Sequence, residues 1–271
     1  MAASAGAGAA LLRWFGSDDG SSVDTAASST TSSSTTSSTT STTAVSTTAS
    51  SSPATTTTTD AAPTTEPATR LPASTGNRLE VLCRAAWGAA APRGTLPRHT
   101  IDELTVHHTA AVLTDNRKAP SRVRSFQQGH LDDGFVDLAY HYVIDAHGNV
   151  YQARSTDIPG ETYTDYDPAG HFLAVCDGNF EEQGIPDAQL DALARLLAWA
   201  SHQFGVPTSR LTGHRDEAAT ACPGEHLYAH LRDGSLKAAI DRHLASGPPQ
   251  MVVLCGAEGT ARVDAIRSGA A

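Results

Sequence analysis

Leu190, Leu193, Leu197, Ala200 and Phe204 recur at steps of three and four residues, the repeat that lines one face of an α-helix. Pro186 and Asp187 stand before this run, and Gly205 and Pro207 follow it. Those are start and stop signals, so the pattern predicts a helix between them. A shorter helix is predicted from Pro120 through Val123 and Phe126, and a last one near Leu236, Ile240 and Leu244. Elsewhere the pattern turns to strands. Leu104-Thr105-Val106-His107 is one, and aromatic, β-branched Tyr140-His141-Tyr142-Val143-Ile144 is another. Asp145 to Gly148 makes a turn, and Asn149 to Arg154 returns as the hairpin partner. Phe172 to Val175 is a further apolar strand. Strands and helices interleave, which predicts an α/β fold built on a single mixed central β-sheet flanked by helices.

Composition sets the limits of that fold. Residues 1–76 are rich in alanine, then in serine and threonine with scattered proline, and Ser28 to Ser52 carries no charge at all. Such a tract cannot bury enough apolar surface to offset its ordering entropy, so it is expected to be a disordered stalk or leader. Its composition matches stalks of extracytoplasmic proteins, which is where the chain is expected to work. The N-terminus is a poor secretory signal, because Arg13 follows the apolar Met1–Leu12 stretch instead of preceding it. No stretch reaches the length of a transmembrane helix. All 12 histidines and all 4 cysteines lie beyond the tract, so the folded domain is expected over 77–246. Residues 247–271 contain a short apolar run, Met251 to Leu254, readable either as an added strand or as a loose tail. The formal net charge is −10, with no basic patch or stripe, which argues against nucleic acid as a partner.

The candidate chemistry lies in two places. Gly213-His214-Arg215-Asp216 and Thr220-Ala221-Cys222-Pro223-Gly224 put a histidine and a cysteine eight residues apart in a segment that reads as loop. His107-His108 ends the first predicted strand, far upstream. Imidazole and thiolate are ligands that zinc prefers, and three protein ligands leave a tetrahedral ion one open position, as in catalytic sites. Successive side chains of a strand face opposite ways, so only one of His107 and His108 can reach a given ion. With Cys222 set aside as a ligand, Cys83, Cys176 and Cys255 can form at most one bridge. Cys176 reads as a small buried hydrophobe, and Cys83 is the best candidate for a bridge partner. His141, His171 and His202 read as core histidines.

Six blocks, in order, resemble one family. They are Arg84-Ala85-Ala86-Trp87-Gly88-Ala89, Val106-His107-His108-Thr109-Ala110, Ala139 to Asp145, Gly178-Asn179-Phe180, and the two segments around His214 and Cys222. From about Arg84 to Leu244 the chain is similar to the zinc N-acetylmuramoyl-L-alanine amidases, whose fold is shared by peptidoglycan recognition proteins and bacteriophage lysozyme-type amidases. The resemblance implies zinc held by His107, His214 and Cys222, with Tyr140 as a catalytic donor and Thr220 as a second hydroxyl. It implies hydrolysis of the amide between N-acetylmuramic acid and L-alanine, with peptidoglycan or a muropeptide as partner and a monomer as the working unit. His108 then falls to a packed or supporting role. Members without amidase activity have usually lost the cysteine, and here Cys222 is present. The chain departs from the family's pattern at Gly170-His171-Phe172, at Asp177, and over Ile158 to Pro168, where Glu161, Asp165 and Asp167 make an acidic, tyrosine-bearing loop. Two rival readings are a non-catalytic peptidoglycan-binding module, and a closed structural zinc site completed by His108 or Cys176.

Overall fold

The computed structural model describes residues 78–271. The Ser/Thr-rich tract 1–76 lies outside the described residues. The described residues begin with β1 (Arg78–Leu82), a single turn α1 (Arg84–Trp87), β2 (Glu103–His108) and α2 (Ala119–Asp132). Next come β3 (Tyr142–Ile144), β4 (Val150–Gln152), β5 (His171–Cys176) and the long α3 (Asp187–Phe204). The remainder is β6 (Leu211–Gly213), α4 (His214–Glu217), α5 (Glu225–Arg232), α6 (Ser235–Ala245), β7 (Gln250–Leu254) and α7 (Gly256–Ser268).

The strands form one sheet in the order β6-β2-β5-β3-β4-β1-β7. Every neighbouring pair is parallel except the β3–β4 hairpin. A mostly parallel sheet needs cover on both faces, and all six residues of β5 are buried accordingly. Alternate residues feed two separate cores. Leu104, Val106, Phe172, Ala174 and Cys176 pack with Leu193, Leu196 and Leu197 of α3 and Ile240 of α6. Val143, Tyr151 and Val175 pack on the other face with Val123 and Phe126 of α2 and Ile266 of α7. Helix α3 lies where the leucine repeat predicts it, with Pro186 as N-cap and Gly205 in the left-handed conformation (φ 69°) as C-cap.

The structure revises several expectations. The strand expected from Tyr140 begins at Tyr142, and Tyr140 lies in the bend before it. The segment read as loop around His214 contains a three-residue strand and one helical turn, because Gly213 pairs with Val106 of β2 and Asp216 closes the turn on the Gly213 amide at 2.7 Å. The fold also runs past Ser246, the end expected from sequence. β7 pairs with β1 over five residues in parallel register, and α7 packs Val263 and Ile266 into the second core. Cys83 and Cys255 form a disulfide that fastens this edge, while Cys176 is a free thiol buried on the α3 face. Among the described residues no helix is long and apolar enough to cross a membrane.

Candidate metal centre and its groove

β2 determines which of the two histidines faces the site. His107 is in register with Val175 and His108 with Cys176, and those two residues belong to opposite faces of the sheet. His107 therefore emerges on the Val175 face. His108 emerges on the other, where its Nδ1 accepts the Phe180 amide at 3.2 Å. Its backbone still serves the first face, since the His108 amide donates to Cys222 Sγ at 3.3 Å.

His214 reaches the same place because β6 runs parallel beside β2 and ends at Gly213 opposite Val106, so the next residue, the first of α4, stands beside His107. The His107 and His214 ring centroids are 4.6 Å apart. Cys222 arrives on the loop that follows. Thr220 Oγ1 accepts the Cys222 amide at 3.2 Å, and the Arg215 guanidinium holds the Ala221 carbonyl while pairing with Glu181 and Glu225. Gly224 (φ 88°) lets this loop pass against β5's outgoing chain, since a Cβ there would lie 2.5 Å from the Phe180 backbone. His107 Nδ1 and Cys222 Sγ are 3.6 Å apart. One donor atom from each of His107, His214 and Cys222 lies within 4.8 Å of the others, and all three residues are buried. His108 and Cys176 are not part of this group.

Burial shapes the electrostatics. It pushes the His107 imidazole well below its usual range, helped by His214, and brings His214 down to about 4. Both rings are thus neutral near pH 7 and keep a lone pair for a metal. Burial also pushes the Cys222 thiol up to about 12, against the opposing pull of the His108 amide and Arg215. Two neutral imidazoles and a sulfur form a donor set suited to a soft or borderline cation.

Tyr140 borders the cluster, its ring 5.1 Å from that of His107. Burial first, then the neighbouring Cys222, raises its phenol well above the usual range, so it stays a proton donor at neutral pH. Tyr140 and Thr220 both line a cleft of about 340 Å³ that opens over His107, His214 and Cys222. Its walls come from the departing loop, with Glu161, Tyr163 and Thr164, and from Asn179 and Glu182 beyond β5. Arg122 and Thr109 hold the buried Asp177 carboxylate just before this second wall.

Two neighbours of the cluster carried no mark in the sequence. Thr164 Oγ1 lies 2.7 Å from His214 Nε2, and the Tyr166 hydroxyl lies 3.5 Å from His107 Nε2. Both belong to the loop where the chain leaves the family's pattern, and no periodicity or motif points to them. Of the histidines expected in the core, His141 is buried, accepting the Leu173 amide at Nδ1 and reaching the Ile158 carbonyl through Nε2. His171 is buried against Thr105. His202 is instead exposed, on the outer face of α3 opposite the leucine stripe.

Comparison with known proteins gives consistent relatives. A family model described as N-acetylmuramoyl-L-alanine amidase matches residues 97–225. Peptidoglycan-recognition protein SD of Drosophila simulans is 32% identical over 157 residues, which span 56% of this chain and 84% of that protein. An N-acetylmuramoyl-L-alanine amidase of Sus scrofa is 33% identical over 160 residues, covering 55% of this chain and 26% of that longer protein. Among solved structures, Drosophila peptidoglycan recognition protein SD superposes with a TM-score of 0.53 at 31% identity, over 56% of this chain and 92% of that one. The ectodomain complex of peptidoglycan recognition proteins LCa and LCx bound to tracheal cytotoxin superposes with a TM-score of 0.52 at 29% identity, over 56% of this chain and 94% of the matched one.

Proposed function

The chain belongs to the family of N-acetylmuramoyl-L-alanine amidases and peptidoglycan recognition proteins, and on that premise we propose that it is a zinc amidase. Its substrate on this reading is the amide between N-acetylmuramic acid and L-alanine in peptidoglycan. The observation that carries the reading is the complete donor set of His107, His214 and Cys222 beneath an open cleft. A tetrahedral zinc, with bonds of about 2.0–2.1 Å to nitrogen and about 2.3 Å to sulfur, separates those ligand atoms by about 3.6 Å. His107 Nδ1 and Cys222 Sγ stand at that spacing. Three protein ligands leave a fourth position for chemistry. When bound, zinc supplies Lewis-acid activation of the scissile carbonyl and of a water.

The chain's own residues do the rest. Tyr140 presents a protonated phenol beside His107, placed to donate to the carbonyl oxygen as negative charge develops on it. Thr220 offers a second hydroxyl on the cleft wall. The cleft orients the peptide stem so that the lactyl carbonyl meets these donors and the L-alanine amine departs toward solvent. The Cys83–Cys255 disulfide supports a workplace outside the cytoplasm.

A recognition module that binds wall fragments without cutting them is the second reading, favoured by the relatives whose names say recognition. The full-length protein incubated with purified muropeptides, followed by mass spectrometry, separates the two. The amidase releases free stem peptide and peptide-free glycan, loses this activity to a chelator and regains it with added zinc. Bound but uncut fragments in the presence of zinc establish the recognition module instead.

A further inference from the structure

His214 can serve as a ligand through the nitrogen facing Cys222 only if the proton of its neutral ring sits on the other one. In this chain Nε2 is engaged by Thr164 Oγ1 at 2.7 Å, which leaves Nδ1 for the cluster. A hydroxyl could hold that nitrogen in either of two ways. It could accept a proton from Nε2–H, or donate its own and drive the ring proton onto Nδ1, where it would block the ligand position.

Thr162 supplies the acceptor that the first arrangement needs. Its Oγ1 accepts the Thr164 backbone amide at 3.1 Å, and it also lies 2.8 Å from Thr164 Oγ1. Thr162 Oγ1 thus keeps a lone pair for the Thr164 hydroxyl proton. When Thr164 donates there, one of its own lone pairs faces the imidazole and accepts from Nε2–H, the arrangement that leaves Nδ1 free to ligate. Tyr166 makes only a longer approach to His107, so the loop acts chiefly through Thr164.

We propose that Thr164, aimed by Thr162, is a positioning residue that fixes the tautomer and orientation of His214 and so strengthens zinc binding. The inference rests on the zinc reading above. It gives a task to a wall of the cleft where this chain departs from the family's pattern: the loop that borders the substrate also sets the metal site.

The test compares the wild type with Thr164→Val, which keeps the shape and removes the hydroxyl, and with Thr164→Ser, which restores the hydroxyl. Zinc affinity is measured by competition with a chromogenic chelator. Loss of such a supporting contact typically costs about 10- to 100-fold in affinity. Thr164→Val is expected to lose that much, and Thr164→Ser to recover to within about threefold of wild type. Imidazole ¹⁵N shifts of the zinc-free proteins supply a readout that a merely structural role would not move. His214 should be Nε2-protonated in the wild type and in Thr164→Ser, and a mixture of tautomers in Thr164→Val. Should Thr164→Val fail to fold, Thr162→Val asks the same question, since it frees the Thr164 proton to turn toward His214 and should weaken zinc in the same direction. A folded Thr164→Val with wild-type affinity and an unchanged tautomer overturns the proposal, as does a Thr164→Ser that does not recover. A wild-type protein that binds no zinc overturns the zinc reading itself, and the two failures are therefore distinguishable.

Discussion

The two ends of the sheet are held together in different ways. At the β1–β7 end, five residues pair in unbroken parallel register, Cys83 and Cys255 are covalently joined, the Cys83 amide donates to Leu254, and Arg262 pairs with Glu80. At the β6–β2 end, only three residues pair, and the chain beyond them gathers two neutral imidazoles and a buried thiol. The covalent fastening thus lies at the opposite edge of the sheet from the candidate ligands. Stability and chemistry should therefore be separable by mutation in this fold.

The sharpest way to break it is at His107. His107→Ala should strip zinc and bring amide hydrolysis down to background. His108→Ala should keep the metal, because the His108 contact with Cys222 is made by its backbone amide. Its cost should appear as reduced stability from the lost Phe180 contact. Zinc content by elemental analysis and turnover of a defined muropeptide read both. Metal loss in His108→Ala with retention in His107→Ala would mean that the β2 register is off by one residue.

At the opposite end, Cys83→Ser paired with Cys255→Ser should lower unfolding free energy by about 2–5 kcal/mol, as expected when a bridge closing a long loop is removed. Turnover of the folded fraction at low temperature should stay near wild type. A severalfold fall in turnover per zinc would show that the edge helps to shape the cleft after all, and the separation would fail.

Tyr140→Phe should cost about 100-fold in turnover, the low end of what one preorganised donor contributes, with zinc and substrate affinity little changed. The ring still fills its place against His107 and His130, so melting temperature should hold. Near-normal turnover would leave Tyr140 as a packing aromatic.

The same two ends differ in how far the sequence foretells them. Helix α3 and strand β5 are legible because burial writes a period, or an unbroken apolar run, into their residues. β7 is ambiguous because Met251 to Leu254 is only four residues long. α7 has no long apolar stripe, and apart from Val263 and Ile266 its length is carried by glycine, alanine, threonine, serine and charged residues. β1 sits just after the composition change and is too short to assert itself. Around the candidate metal centre, His107, His214, Cys222, Tyr140 and Thr220 all lie in recognisable blocks, and all five line one cleft. Thr164 was hidden because its contact joins a non-periodic loop to a residue fifty positions away. His202 was misplaced because a histidine at the end of an amphipathic helix can fall on either face, and here it falls outside.

The smallest effect concerns Thr220, and it asks how closely the two tasks can be interleaved within one loop. Its hydroxyl oxygen accepts the Cys222 amide at 3.2 Å, which helps to aim the sulfur. A hydroxyl has two lone pairs and one proton, so the same group can accept from the loop and still donate into the cleft. Thr220→Val removes both contacts, whereas Thr220→Ser keeps both. If the donated bond matters to the reaction, Thr220→Val should lower turnover by about tenfold, the worth of one modest hydrogen bond, at full zinc occupancy. If only the accepted bond matters, zinc affinity should fall while turnover per bound zinc stays constant. Measuring both quantities on the same preparation separates the roles. An unchanged value of each would remove Thr220 from the site and leave Tyr140 as the sole side-chain donor to the developing charge.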